Sequence, residues 1–141
     1  MSLRSWSRIL CTVAVLMLTM QVAATQKSAN AGPKYDFATE AKIKGVVEEV
    51  REVPGDLGGT ELVIKTDTAT VLVHVAPADF LKEMDTSFNK GDQVEVVGAK
   101  VPNAQDELLA REITVGTNVT TLRDDKGIPV WTGWKPTSSG K

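Results

Sequence analysis

The chain has 141 residues, 16 of them basic and 18 acidic, which gives a formal net charge of −2 at pH 7. Nucleic-acid-binding domains gain most of their affinity by neutralising phosphates, so an acidic chain without a Lys/Arg cluster argues against nucleic acid as a partner. The presence of one cysteine excludes an intramolecular disulfide framework and a multi-thiolate zinc site.

The N-terminus has the pattern of a cleaved secretory signal. Arg4 and Arg8 precede an apolar run over residues 9–20, which is shorter than the roughly 20 residues that a membrane-spanning helix needs. Small residues follow this run, and cleavage after Ala24 or after Ala31 fits the usual signal-peptidase pattern. An uncleaved membrane anchor is the alternative.

Cleavage after Ala24 removes a signal peptide at 1–24, and with it the only cysteine, Cys11. The remaining 117 residues carry 14 basic and 18 acidic side chains, and they are enough for one domain with a modest core. We assign 25–37 to a linker, 38–134 to the domain and 135–141 to a flexible tail. We expect a periplasmic or secreted protein with no stable membrane insertion after cleavage.

The first segment of the domain, ATEAKIKGVVEEVREV, fits two structures. Its apolar side chains recur at the helical spacings of three and four, but they also fit a long strand with a bulge near Gly45. We favour the strand, because a glycine weakens a helix interior by about 1 kcal/mol and valines favour strands.

The later segments have clearer periods. TELVIKT and TVLVHVA alternate apolar and polar residues and predict a β-hairpin. PADFLKEMD predicts one short helix that begins near Pro77. GDQVEVVGAKV and LLAREITV return to the strand period, and Gly98 indicates a bulge or a close backbone approach.

The order of three strands, a short helix and two further strands is that of an OB-fold. The sequence therefore predicts an all-β domain with one short helix, an OB-fold-like five-stranded Greek-key barrel followed by a C-terminal hairpin. Another small all-β barrel or sandwich is the alternative.

Four runs in this order, VHVAPADFL, GDQVEVVGAKV, LLAREI and LRDDKGIPVW, resemble those of small exported bacterial OB-fold proteins. These periplasmic or secreted proteins are related to the bacterial OB-fold stress proteins. The resemblance covers about residues 40 to 131, with Ala76 at a position where the pattern usually has glycine. It implies an exported binding module without implying any one ligand.

The C-terminal run LRDDKGIPVW predicts a closing hairpin with its turn at 125–127, at which Gly127 supplies a positive φ. Pro129 cannot donate to a β-ladder, so its strand should lie at an edge. We expect Trp131 to pack on the core. Trp134 is either structural or exposed for contact with a ligand or partner.

His74 is the only histidine, and strand alternation places it opposite the valine face, as a surface or groove residue. A haem or metal chaperone that uses His74 is one alternative function, although no cysteine or second histidine could complete a zinc site. Oligonucleotide binding on the face of the second and third strands is another. That face contains no aromatic residue and one lysine, Lys65, whereas stacking platforms need aromatic side chains.

No catalytic signature occurs in the sequence. There is no G-x-S-x-G motif, no phosphate-binding glycine loop, and no second histidine to complete a triad. We therefore predict a non-enzymatic binding or accessory module without a cofactor, catalytic residue or metal site, whose partner is an envelope protein or a small ligand. The side chains predicted to contact it are His74, Trp134 and Lys65.

Overall fold

The computed structural model describes residues 34–53 and 59–135. The predicted signal peptide, both of its cleavage sites and the tail after Lys135 lie outside these ranges. In the described part of the chain, no helix is long and apolar enough to cross a membrane.

Within these ranges, six strands and one helix follow a short 3-10 turn at Phe37–Thr39. In chain order they are β1 Ala41–Val53, β2 Gly59–Lys65, β3 Thr70–His74, α1 Ala78–Glu83, β4 Gln93–Lys100, β5 Glu107–Val115 and β6 Asn118–Thr121. The prediction of a mostly β domain with one short helix is confirmed. The prediction had five strands before the C-terminal hairpin. The structure has a sixth, β6, which pairs with β5.

The strands form one sheet in the order β3-β2-β1-β4-β5-β6, with antiparallel pairing between neighbours. In addition, β3 pairs in parallel with β5, where Leu72 lies opposite Glu107 and His74 opposite Leu109. The pairings therefore join β1, β2, β3, β5 and β4 in a closed circuit, called here the five-strand ring. β6 extends the sheet beyond β5.

The core lies inside the ring because the strands alternate apolar and polar residues along this part of the sheet. Full burial of a Val, Leu or Ile side chain contributes about 1.5–3 kcal/mol each. The largest fully buried side chains are Val47, Leu62, Ile64, Val73, Val96, Leu109, Ile113 and Leu122. All of these except Leu109 belong to one cluster, to which helix α1, the connection from β3 to β4, contributes Leu81, so the helix covers one end of the ring. Leu109 packs instead with Tyr35 and Ala99 in a second cluster.

Two glycines allow the strands to approach one another closely. A Cβ on Gly45 would lie 2.3 Å from the carbonyl oxygen of Lys65, and one on Gly98 would lie 2.5 Å from that of Leu109. A long strand with a bulge near Gly45 was predicted, and β1 is such a strand, with a register shift against β2 between Val47 and Glu49. At Gly98, a register shift accompanies the close approach.

The C-terminal hairpin is shorter than the sequence suggested. It contains one antiparallel bridge, between Arg123 and Pro129. Asp124 forms the turn: its carbonyl accepts from the Gly127 N–H at 3.0 Å, and its Oδ1 accepts from the N–H of Ile128 at 2.9 Å. Gly127 has the expected positive φ, 78°.

Candidate functional site

The end of the ring opposite α1 is open and forms a cleft of about 730 Å³, within the range of roughly 300–1,000 Å³ usual for ligand pockets. It lies between the start of β1, the β2–β3 turn and the β4–β5 connection. Ile43, Val71 and Leu108 provide large apolar side chains. The floor therefore continues the core, and this surface is called here the open-end cleft.

The cleft exists because β2 ends before β1 does. The first pair between these strands is Val46 with Lys65, whereas β1 pairs with β4 as far as Ala41. Thr66 turns the chain back into β3: its N–H donates to the Ala69 carbonyl at 2.8 Å, and its Oγ1 accepts from the Ala69 N–H at 3.1 Å. The first residues of β1 consequently have no β2 neighbour.

The two sides of the cleft differ in charge. Lys44 and Lys100 come from β1 and β4, whereas Asp67, Asp106 and Glu107 come from the β2–β3 turn and the end of the β4–β5 connection. The Lys44 Nζ lies 3.1 Å from a carboxylate oxygen of Glu95 on the outer face of the sheet.

His74 is buried, with 5% of its surface exposed, so the expectation of a surface or groove residue was wrong. Strand β3, which carries His74, lies between β2 and β5. Glu61 from β2 and Glu107 from β5 lie on the two sides of the His74 imidazole. His74 Nε2 lies 3.0 Å from Glu107 Oε2 in a hydrogen bond. Nδ1 lies 3.2 Å from Glu61 Oε1, without the alignment of a hydrogen bond. His74 therefore supports Glu107, a residue of the cleft wall.

Trp134 and Trp131 lie at the other end of the molecule, against α1. Trp131 packs on the core cluster, and its ring centroid is 5.8 Å from that of Phe80. Trp134 meets the same Phe80 edge-on at 5.5 Å, and its indole N–H donates to Glu83 at 2.6 Å. Both indoles are half-buried, so Trp134 holds the C-terminal segment on the helix.

Lys65, the third predicted contact residue, is exposed at the end of β2 and is not part of the cleft lining. His74, Trp134 and Lys65 are thus not brought together. Among the residues that the structure describes, no three His, Cys, Asp or Glu side chains are grouped to hold a metal ion.

The comparison with known proteins identifies the family. Residues 39–120, more than half of the chain, match the model of the MamS/MamX magnetosome protein family. The chain belongs to this family. The expected kinship with bacterial OB-fold stress proteins was wrong, since the runs that suggested it are short patterns shared by many β-domains.

Two relatives are magnetosome proteins named MamS. The one from Magnetospirillum gryphiswaldense is 29% identical over 101 residues, and the one from Paramagnetospirillum magneticum is 32% identical over 101 residues. Each alignment covers 67% of this chain and 55% of the relative, so the chain spans about half the length of these relatives. The family match contains the whole lining of the open-end cleft and ends before Trp131.

A polar network that the sequence analysis did not predict connects the segment before β1 to β5. Arg111 donates to both carboxylate oxygens of Glu40, at 2.8 and 3.1 Å, and the Tyr35 hydroxyl donates to Glu40 at 2.6 Å. The Arg111 hydrogen bonds hold the pKa of Glu40 below its ordinary value. Burial, followed by the bond to Glu40, raises the pKa of Tyr35. Tyr35 is buried although it lies in the segment assigned to the linker.

Arg123 is a second half-buried cation near this network. Its guanidinium lies 5.7 Å from the ring centroids of both Tyr35 and Trp131, and it donates to the Gly127 carbonyl at 3.0 Å. Burial lowers the pKa of Arg123. Its aromatic neighbours stabilise the cation and link the N-terminal segment to the C-terminal turn.

Proposed function

We propose that this protein is a non-enzymatic accessory component of the magnetosome that binds a partner through the open-end cleft. The observation that carries the proposal is the family match at 39–120, which nearly coincides with the sheet from Ala41 to Thr121. The relatives are magnetosome proteins by name, and the cleft is formed entirely by residues within the match.

We further propose that the five-strand ring is an OB-fold barrel. Its support is the parallel β3–β5 pairing, which connects the two ends of an otherwise antiparallel series, and the position of α1 between β3 and β4. OB-folds have five strands in a Greek-key arrangement and use their faces and loops as binding surfaces.

A binding role fits the cleft better than catalysis. Among the described residues, its lining contains threonines, carboxylates and lysines, and no histidine, cysteine or serine. The described lining also has no aromatic side chain and has three carboxylates for two lysines, so it offers neither the stacking nor the positive charge that single-stranded nucleic acid requires. Because His74 is buried and no three His, Cys, Asp or Glu side chains among the described residues are grouped to hold a metal ion, we prefer this proposal to a haem or metal chaperone.

We propose that the domain is exported, as a periplasmic or secreted domain would be, and that it contacts an envelope protein or a small ligand on the exported side of the magnetosome membrane. The basic start and short apolar run of residues 1–24 support export. After cleavage the domain would act without stable insertion into a membrane.

Cell fractionation tests this proposal. The full chain with a C-terminal epitope tag is expressed in Magnetospirillum gryphiswaldense, and its amount is compared between purified magnetosomes, other membranes, periplasm and cytoplasm. We expect the tag to be enriched with magnetosomes. A matched chain without residues 1–24 should remain in the cytoplasm. If the two chains distribute alike and neither accompanies magnetosomes, the proposal is wrong.

A further inference from the structure

The first residues of β1 form an open strand edge inside the cleft. The Val47 N–H donates to the Asp92 carbonyl at 2.9 Å, on the β4 side. Backbone groups point alternately to the two sides along an antiparallel strand, so Ile43 and Gly45 face β4, and Lys44 faces the opposite side.

The backbone N–H and C=O of Lys42 point to the same side of β1 as those of Lys44. The β1–β2 ladder begins only at Val46, and among the described residues no backbone bond is made to Lys42 or Lys44 on the cleft side. Each of these two lysines thus has one N–H and one C=O on the side of β1 that faces away from β4, and Lys44 is part of the cleft lining. Unpaired backbone groups at a strand edge are a template for the addition of another strand.

The space beside this edge fits an extended chain. This space lies where β2 would run if it continued alongside β1 beyond Lys65. The Thr66–Ala69 turn borders the space on the side away from β1. Side chains of an extended peptide alternate between two faces. Every second side chain would therefore meet the floor formed by Ile43, Val71 and Leu108.

The charges on the side of the cleft opposite β1 indicate which peptide side chains would fit at the positions that do not meet the floor. Asp67 and Asp106 are exposed there, while Glu107 is hydrogen-bonded to His74. The Lys44 ammonium pairs with Glu95 outside the cleft, and Lys100 is exposed on the β4 side. A cationic side chain beside an apolar one would meet both the floor and these carboxylates.

We propose that the open-end cleft binds an extended peptide segment of a partner protein, in which apolar and basic residues alternate and whose backbone adds as a strand to β1 at Lys42 and Lys44. This inference rests on the proposed binding role of the cleft and specifies its ligand class. Strand addition supplies the affinity through backbone hydrogen bonds, and the floor and the acidic wall supply the specificity.

The test uses purified protein that begins at Thr25 and fluorescently labelled pentapeptides. The probe is acetylated and amidated Lys-Val-Lys-Val-Lys. One control has the same sequence with methylated backbone nitrogens, and the other is Glu-Val-Glu-Val-Glu. We expect saturable binding of the probe below about 1 mM, and at least about tenfold weaker binding of both controls, because each lacks either the backbone donors or the positive charge.

Amide NMR locates the site, and the largest shifts should lie at Lys42 and Lys44. The double variant Asp67→Asn with Asp106→Asn should weaken binding about threefold to tenfold. The exposed turn variant Asp125→Asn is the matched control and should bind as the parent does. Lys44→Pro removes the N–H that faces the cleft without removing a β4 bond, and it should weaken binding about tenfold if its melting curve matches the parent.

Equal binding of the methylated peptide would overturn the proposal, as would shifts that map outside the cleft or no binding of any probe. Preference for the Glu-Val peptide would contradict the charge assignment. These measurements need no magnetosome, so their failure is distinguishable from failure of the fractionation experiment.

Discussion

The two ends of the five-strand ring differ in how they are covered. At one end, α1 contributes Leu81 to the core, and Phe80 lies between Trp131 and Trp134. At the other end, the lining is made mostly of small or polar side chains, and the cleft remains open. The closed end has the large aromatic side chains that stabilise a small domain, whereas the open end leaves backbone and carboxylates accessible. Stability and binding should therefore be separable by mutation.

The largest effect is expected at the closed end. Trp131→Ala removes a half-buried indole that packs on the core, on Phe80 and near Arg123. The free energy of unfolding should fall by about 2–4 kcal/mol, less than for a fully buried tryptophan. Urea unfolding followed by circular dichroism measures it. Lys100→Ala at the open end should change stability by less than about 0.5 kcal/mol, and equal losses would remove the distinction between the ends.

Gly45→Ala should sharpen the comparison at the border of the cleft. Its Cβ would lie 2.3 Å from the Lys65 carbonyl oxygen, so β1 and β2 must separate at their first pair. We expect a loss of about 1–3 kcal/mol in the same unfolding experiment. Lys44→Ala, one residue earlier, is the control and should unfold as the parent does. An unchanged Gly45→Ala protein would show that the end of β2 is not fixed against β1.

The third expected effect depends on pH. Because Arg111 lowers the pKa of Glu40, the ionised carboxylate stabilises the folded state at neutral pH. This contribution is lost as the pH falls below the ordinary glutamate value of about 4.5 and through the lowered pKa of Glu40. Arg111→Gln should reduce stability at pH 7 by about 1 kcal/mol, since the pair is partly exposed and screened.

Thermal melts of parent and Arg111→Gln between pH 7 and pH 3 check this prediction. The difference between the two proteins should shrink on the acid side. Lys126→Gln, which removes the charge of an exposed lysine in the C-terminal turn, is the control and should give a curve parallel to the parent. A difference that grows toward acid pH would contradict the assigned role of Glu40.

The smallest expected effect concerns Trp134. Trp134→Phe keeps an aromatic ring against Phe80 and loses the N–H bond to Glu83. We expect a loss of about 0.5–1 kcal/mol in urea unfolding and no change in peptide binding at the open end. A loss as large as that of Trp131→Ala, or weaker peptide binding, would mean that the two ends are coupled.

The strands and the helix were predictable because their side-chain period is local. Val71, Val73 and Val75 alternate with polar or less buried positions, and the structure buries all three. The Asp124–Gly127 turn was predictable as well, since Asp and Gly favour the turn geometry that the structure shows there.

The site was not predictable in the same way. His74 is on the outer side of its strand as the alternation indicated, but Glu61 and Glu107 bury it from two neighbouring strands. The cleft exists because β2 ends before β1 does. That depends on the pairing register of two strands, which the local sequence pattern does not determine. The one local signal was Thr66 followed by Asp67-Thr68-Ala69, a turn that ends β2 just after Lys65.

Native-state hydrogen exchange of the free protein tests the central claim most directly, because it reads the open strand edge residue by residue. Lys42 and Lys44 amides should exchange at least about 100-fold faster than those of Ile43 and Gly45, which bond to β4. Addition of the Lys-Val peptide should slow Lys42 and Lys44 and leave their neighbours unchanged. Equal protection of all four amides in the free protein would contradict the account, because the edge on which the binding site is built would then be closed.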